Sequence, residues 1–247
     1  MAIGDTLSIR ECPQTPQEKQ KMKNVPYASA VGSLMYAMMC TRPDICFAVG
    51  MVSRYQSNPG LTHWKAVKRI LRYLKGTSHY SLCYEGNDLQ MRGYTDADWG
   101  RDMDERKSTS GFVFLLNKGA ISWSSKKQSC IALSTMEAEF VAFSAAAQEA
   151  VWLSQFLSSL GVVGNTIDRA LIYSDNEAAI AYSKDPKFHY KTKHIDIKYN
   201  YVKDKIARKE VSIEYISTHD MVADPLTKPI PRDAFVKHVR SQGLRRL

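Results

Sequence analysis

Three aspartates sit where runs of apolar residues stop. Leu89, Met91 and Tyr94 alternate with polar neighbours up to Asp96, and Leu171, Ile172 and Tyr173 lead to Asp175. A further alternating stretch over 211–216 precedes Ala223-Asp224. Alternation with a period of two reads as a strand with one buried face. Asp96 and Asp175 therefore close strands, and Asp224 opens a short helix after the last one. Between them a long helix, capped by Ser134 or Thr135 and ended by Gly161, carries Glu137 and Glu139. Carboxylates from separate elements that meet at one rim can hold hard divalent ions, which take oxygen ligands and keep waters. Two such ions about 3.5–4 Å apart support attack of water on a phosphodiester.

The two glutamates cannot both face the sheet, because each residue advances about 100° around the helix axis. The expected apolar stripe runs through Ala138, Val141, Ala142, Ala145, Trp152 and Phe156. Glu139 shares a flank of it with Ala146 and Leu157, whereas Glu137 lies with Ser144 and Gln148, so Glu139 is the chosen ligand. Glu137 reads as a first-turn acid favoured by the helix dipole. Glu149 falls within the stripe and requires a buried partner.

Three early strands in hairpins, followed by helices and strands in alternation, predict an α/β fold: one mixed five-stranded sheet flanked by helices. Asn117-Lys118-Gly119 is the tight loop of one hairpin. The expected organisation is a polar tail or linker over 1–26, a helical region over 27–80, the main domain over 88–228, and a loosely packed basic tail over 229–247. In the helical region Thr62 is expected to cap a helix with Trp64, Val67, Leu71 and Leu74 inward. Its other side carries Lys65, Lys68, Arg69, Arg72 and Lys75. That stripe is either a solvated face or a surface that tracks a nucleic-acid backbone.

Composition narrows the class. The formal charge of +9 favours a polyanionic partner, most simply nucleic acid. There is no run of eighteen apolar residues and no secretory signal pattern, which points to an intracellular chain without a membrane span. The five cysteines show no C-x-x-C spacing and read as reduced thiols. A zinc site from His189, His194 and His219 is disfavoured for want of cysteines at ligand spacing.

Long segments resemble the C-terminal end of the Pol polyprotein of copia-class LTR retrotransposons. They include 25–36, Thr41-Arg42-Pro43-Asp44-Ile45, 70–77, Tyr94 to Trp99, Lys107-Ser108-Thr109-Ser110-Gly111, Ser122 to Gln128 and Ser134 to Phe140. Asp175-Asn176, Thr192-Lys193-His194-Ile195-Asp196 and Ala223-Asp224-Pro225-Leu226-Thr227-Lys228 continue the match. The resemblance implies a ribonuclease H-like domain preceded by a helical remnant of the reverse transcriptase thumb or connection region. It implies endonucleolytic cleavage of the RNA strand of an RNA–DNA hybrid, in cytoplasmic element-derived particles, with the remainder of the reverse transcriptase as a partner. It also implies Mg²⁺ or Mn²⁺, two ions per site, held by Asp96, Glu139, Asp175 and Asp224. No small-molecule cofactor is expected.

Hybrid selectivity then requires contacts to 2′-hydroxyls. Ser134, Thr135 and Asn176 have the polarity for them, although all three also suit helix caps. Lys126, Lys127, His189, Lys191, Lys193 and His194 are candidate phosphate contacts, with Lys65, Lys68, Arg72 and Lys75 on the helical region. His219 offers a mobile histidine in a short loop. The Tyr-x-Asp-Asp polymerase motif is absent, so this chain is not expected to polymerise. Two other readings share the fold. One is an inactive module that grips the hybrid. The other is a DDE-type integrase or transposase, whose glutamate would come last rather than before the second aspartate.

Overall fold

The computed structural model of the chain describes residues 1, 4–86, 89–161, 169–184 and 193–246, without the side chains of 193–196. Helices α1 (Pro16–Met22), α2 (Tyr27–Cys40), α3 (Cys46–Ser53) and α4 (Leu61–Gly76) come first. A short strand β1 (Tyr80–Leu82) leads to β2 (Arg92–Asp98), β3 (Thr109–Leu116) and β4 (Gly119–Lys127). Then follow α5 (Thr135–Ser159), β5 (Ala170–Ser174), α6 (Glu177–Lys184), α7 (Lys193–Ala207), β6 (Val211–Tyr215), α8 (Arg232–Ser241) and β7 (Leu244–Arg246). Among the described residues no helix is long and apolar enough to cross a membrane.

The main sheet has five strands in the order β4-β3-β2-β5-β6. The β2–β3 and β3–β4 pairs are antiparallel, while β2–β5 and β5–β6 are parallel. This is the mixed, ribonuclease H-like α/β architecture that the resemblance implies. Asn117 and Lys118 both take positive φ (49° and 60°), which matches the right-handed twist of the β3–β4 hairpin. Helices α5, α6 and α7 cover one face, burying Phe114, Phe143, Ile172, Ile213 and Val202 together. The N-terminal helices cover part of the other face. There Met38 and Cys46 meet Val113, Ala120, Met221 and Leu226, and the Trp123 indole N–H donates to the carbonyl of Met38 at 3.0 Å.

Several sequence expectations need correction. Residues 1–26 do not form a loose tail: Leu7, Cys12 and Met22 are buried in one core with Tyr27, Val31 and Val67. Asp104 accepts hydrogen bonds from Ser8 Oγ (2.6 Å) and Ile9 N, and Thr15 caps α1 through a capping box with Glu18. Single apolar anchors spaced by polar caps leave no periodic signal. Residues 229–247 also pack, because α8 buries His238 and Val239 and β7 pairs with β1 across the chain. The short helix expected to open at Asp224 is a single 3₁₀ turn, Asp224–Leu226, and another, Thr218–Asp220, precedes it.

Two helix faces are rotated from their expected setting. On α4 the cap is Gly60, whose N–H donates to His63 Nδ1 at 2.9 Å, and His63, Ala66, Val67 and Ile70 are the buried residues. Leu71 is exposed. On α5 Ala138, Val141 and Ala142 are buried as expected, but the buried line runs on through Phe143, Ala146, Ala150, Leu153 and Leu157 with Glu139, while Ala145 is exposed. Trp152 and Phe156 stack on each other at 5.2 Å, 54% and 45% exposed. Phe140 and Phe143 fill the core in the first half of the helix, and Ala146, Ala147 and Ala150 follow them against the sheet.

Glycine packing yields a paired prediction. A Cβ at Gly111 would stand 2.7 Å from Thr227 Cγ2 and 2.9 Å from Leu226 Cβ, whereas one at Gly32 on α2 meets nothing within 4 Å. Gly111→Ala should cost about 1–3 kcal/mol by overpacking. Gly32→Ala should add roughly 0.5–1 kcal/mol by restricting the unfolded chain. Urea denaturation midpoints check both signs.

Candidate metal centre

The site begins where two parallel strands part. β2 pairs with β5 only over Arg92–Tyr94, so beyond that register the strands diverge and leave a fork at their carboxyl ends. Openings of this kind, outside the carboxyl ends of strands, are where open α/β sheets place ligands. Asp96 stands on one side, buried, and Asp175 follows the last residue of β5 on the other. The first turns of α5 bring in Glu139, also buried. One carboxylate oxygen from each of Asp96, Glu139 and Asp175 lies within 4.8 Å of the others.

Asp224 enters from the 3₁₀ turn Asp224–Leu226, which packs on β3 at Gly111, the residue opposite Asp96 in the ladder. Because Gly111 has no side chain, the turn comes close enough for Thr227 Oγ1 to donate to Asp96 Oδ2. Asp175 is oriented in a similar way, accepting from Thr218 Oγ1 at 2.7 Å. Lys228 reaches in beside Asp224. Its Nζ lies 2.9 Å from Asp224 Oδ1 and 3.4 Å from Asp96 Oδ2.

Crowding like charges in a partly dry rim moves protons. Burial, then the neighbouring Asp96 and Asp175, push the Glu139 carboxyl up to about 9. Burial and Asp96 push Asp224 up to about 7 despite Lys228. Asp96 is also raised, by burial above all, with Lys228 and Thr227 working against the rise. Burial disfavours the Lys228 ammonium, yet Asp96 and Asp224 offset that and keep it protonated well above the usual lysine range.

The donor set fits a divalent ion. The cluster of Asp96, Glu139 and Asp175 offers only carboxylate oxygens, the ligands of Mg²⁺ and Mn²⁺. Glu139 Oε2 is buried with no hydrogen-bond partner among the described residues, a costly arrangement that a bound cation would relieve.

The remaining candidates are spread more widely. Glu137 turns back to the helix start, accepting from Leu133 N at 2.7 Å, so it caps rather than joins the cluster. Ser134 is the cap of α5, Thr135 is its exposed first residue, and Asn176 Oδ1 caps α6 through Ala179 N at 2.9 Å. Lys126 is exposed, and Lys127 is engaged with Glu105 at 2.7 Å. Lys65, Lys68, Arg72 and Lys75 line the exposed side of α4, where Arg69 pairs with Asp5. His219 is exposed on the turn that anchors Asp175. His189 and Lys191 lie outside the described residues, as do the side chains of Lys193 and His194. Glu149 finds its partner in Ser122 Oγ, 2.7 Å away. Sequence reasoning missed Lys228, Thr227 and Thr218. The four-residue step from Asp224 to Lys228 was the only signal, and it is common in any helix.

No protein-family model matches the chain. It is 49% identical over 229 residues to a retrovirus-related Pol polyprotein from transposon TNT 1-94 of Nicotiana tabacum, matching 93% of this chain and 17% of that polyprotein. It is 39% identical over 245 residues to the Pol polyprotein from transposon RE2 of Arabidopsis thaliana, matching 99% of this chain and 16% of the polyprotein. The chain thus spans about a sixth of the length of these relatives. Among solved structures it resembles LC11-RNase H1 in complex with RNA/DNA hybrid, with 16% identity and a TM-score of 0.40 over 61% of this chain and 99% of that one.

The carboxyl of Glu139 gives a signed pH prediction. Its folded pKa of about 9 exceeds the unfolded value near 4.5, so the folded state holds the proton more tightly between those limits. In chelator, stability should therefore fall as pH rises from about 5 to 9, by at most about 1.4 kcal/mol per pH unit for this proton. Glu139→Gln should flatten the profile, most clearly above about pH 8, where Asp224 has largely ionised in both states. Denaturation midpoints from pH 5 to 9 measure it, and parallel profiles for the two proteins would contradict the assignment.

Proposed function

The chain belongs to the copia-type retrotransposon Pol polyproteins, and from that premise we propose that it hydrolyses the RNA strand of RNA–DNA hybrids with the help of divalent ions. The observation that carries this reading is the convergence of Asp96, Glu139 and Asp175 oxygens within 4.8 Å of one another. Asp96, Glu139, Asp175 and Asp224 would hold Mg²⁺ or Mn²⁺. When bound, a pair of ions supplies an activated water and stabilises the leaving 3′ oxygen.

The protein's own residues do the positioning. Thr227 and Thr218 fix the rotamers of Asp96 and Asp175 with hydroxyl protons, which leaves the other lone pairs of each carboxylate for the ion. Ser134 and Asn176 use their side-chain oxygens as caps, and their remaining donors, O–H and N–H₂, suit the 2′-hydroxyls that separate RNA from DNA. Thr135 and Lys126, both exposed, supply a further polar contact and a phosphate contact, and the exposed cations of α4 extend the basic surface. The remainder of the reverse transcriptase is the proposed neighbour in the polyprotein.

One observation favours a second reading, a module that grips the hybrid without cutting it: the Lys228 ammonium lies between Asp96 and Asp224. A single assay separates the two, Mg²⁺-dependent cleavage of an end-labelled hybrid. Cleavage by the wild type, with Asp96→Asn and Asp175→Asn both inactive and binding hybrid within a few-fold of wild type, is the expected outcome, since phosphate contacts carry most of the affinity. A wild type that binds but never cuts would favour the module. Cleavage that survives in both variants would remove the carboxylate mechanism.

The α4 surface can be tested by itself. Replacing Lys65, Lys68, Arg72 and Lys75 together with glutamine should weaken hybrid binding at low salt, each lost phosphate contact lowering the slope of log K against log salt by about 0.9 or somewhat less. Turnover of bound hybrid at saturation should change little. Equal slopes for the variant and the wild type would make the stripe a solvated face.

A further inference from the structure

The two halves of the carboxylate cluster differ in what already occupies them. One oxygen each of Asp96, Glu139 and Asp175 converge, Asp96 being the one of the three with an ion pair to Lys228 (3.4 Å) among the described residues. Glu139 Oε2 has no hydrogen-bond partner among the described residues. The Asp96–Asp224 half already contains a cation: Lys228 Nζ is 2.9 Å from Asp224 Oδ1 and 3.4 Å from Asp96 Oδ2. The side chain is 27% exposed, so its head is held in a partly dry place and not merely resting on the surface. Its backbone is fixed as well. Lys228 N donates to the carbonyl of Asp224 at 3.2 Å, and the preceding residue, Thr227, is fully buried and bonded to Asp96.

We infer that Lys228 is a tethered counter-ion for the Asp96–Asp224 half, so that the protein takes up one divalent ion readily and a second only by displacing this ammonium. The inference rests on the proposed carboxylate centre and gives its two ion positions unequal status. Charge supports it. An ammonium and a divalent ion at neighbouring positions repel each other, and both require the same oxygens of Asp96 and Asp224. A lysine can yield where a shorter or stiffer cation could not, because its flexible stem lets the head swing to water while the backbone stays in place. Lys228 is thus a positioning residue. With one ion bound it holds Asp224 near Asp96, and it leaves when the second ion arrives.

The test is a Mn²⁺ binding isotherm on the full chain, followed by electron paramagnetic resonance of free Mn²⁺ and by calorimetry, for wild type, Lys228→Met, Lys228→Gln and Lys228→Arg. The wild type should bind one ion tightly and a second more weakly by about tenfold or more, comparable to one charge-assisted hydrogen bond. In Lys228→Met and Lys228→Gln the second ion should tighten toward the first, while Lys228→Arg should keep the gap. Thermal melts supply a second readout. Both neutral variants should melt lower than wild type in chelator, where Asp96 and Asp224 lose the ammonium between them, and should gain more from added Mn²⁺.

Two equally tight ions in the wild type would overturn the inference without touching the carboxylate centre, as would a second affinity unmoved in whichever neutral variant folds. A wild type that binds no Mn²⁺ would remove the centre and this inference together.

Discussion

Three acidic side chains, Asp96, Glu139 and Asp175, bring one oxygen each within 4.8 Å of the others at a partly wet rim, and Asp224 joins Asp96 through Lys228. The mutual repulsion has to be met locally. Burial raises the proton affinity of Glu139, Asp96 and Asp224, so at neutral pH the cluster carries less negative charge than its formulae suggest. Among the described residues, further relief comes from Lys228 and from the hydroxyls of Thr227 and Thr218. That requirement explains features that look incidental in isolation. The strands part after Tyr94 so that two aspartates can share a fork, and β3 carries glycine opposite Asp96 so that Thr227 can reach it.

The same requirement ties the N-terminal helices to the site. The segment holding Asp224 is wedged between the sheet and these helices: Met221, Val222, Ala223 and Leu226 are buried with Met38 and Cys46 on one side and Val113 and Ala120 on the other. Arg54 pairs with buried Asp102 at 2.9 Å, and the Trp123–Met38 bond closes the seam further along. Residues 27–80 are thus a wall against which the fourth acid is set, and not only an appendage before the main domain. Loosening that wall would move Asp224 and Lys228 before it moved Asp96 or Glu139, which are held by the sheet and by α5.

Much of this was legible in the sequence. The α/β order, the place of Asp175 just past its strand and the choice of Glu139 over Glu137 follow from period-two alternation, caps and the geometry of a helix, all of which are local. Asp96, expected to close its strand, lies inside β2, which runs on to Asp98. What escaped was non-local or lacked a period. Leu7, Cys12 and Met22 are isolated anchors in a polar stretch, and β1 and β7 are three-residue strands whose partners lie at opposite ends of the fold. On α5 the bulk of Trp152 and Phe156 misled, because they fall on the side away from the core that Phe143, Leu153 and Leu157 fill. Lys228 and Thr227 were hidden for a different reason. Their importance lies in what they touch across the sheet, and neither residue type nor spacing announces that.

A basic protein with an acidic rim has to keep its two signs apart. The formal charge of +9 is carried in part by the exposed cations of α4, whereas around the cluster the neutral donors Thr218 and Thr227 do much of the orienting. Had arginines or several lysines been used instead, each would have cancelled charge that a divalent ion needs in order to bind. Hydroxyls fix a carboxylate rotamer without lowering its attraction for a cation, beyond the lone pair each one uses. Exposed cations farther away are screened over about 8–10 Å at physiological salt, so they can draw a polyanion to the surface with little effect on the rim. Lys228 is the exception to this segregation. It is a cation at the acid cluster itself, where its charge acts at contact distance and salt screens it least.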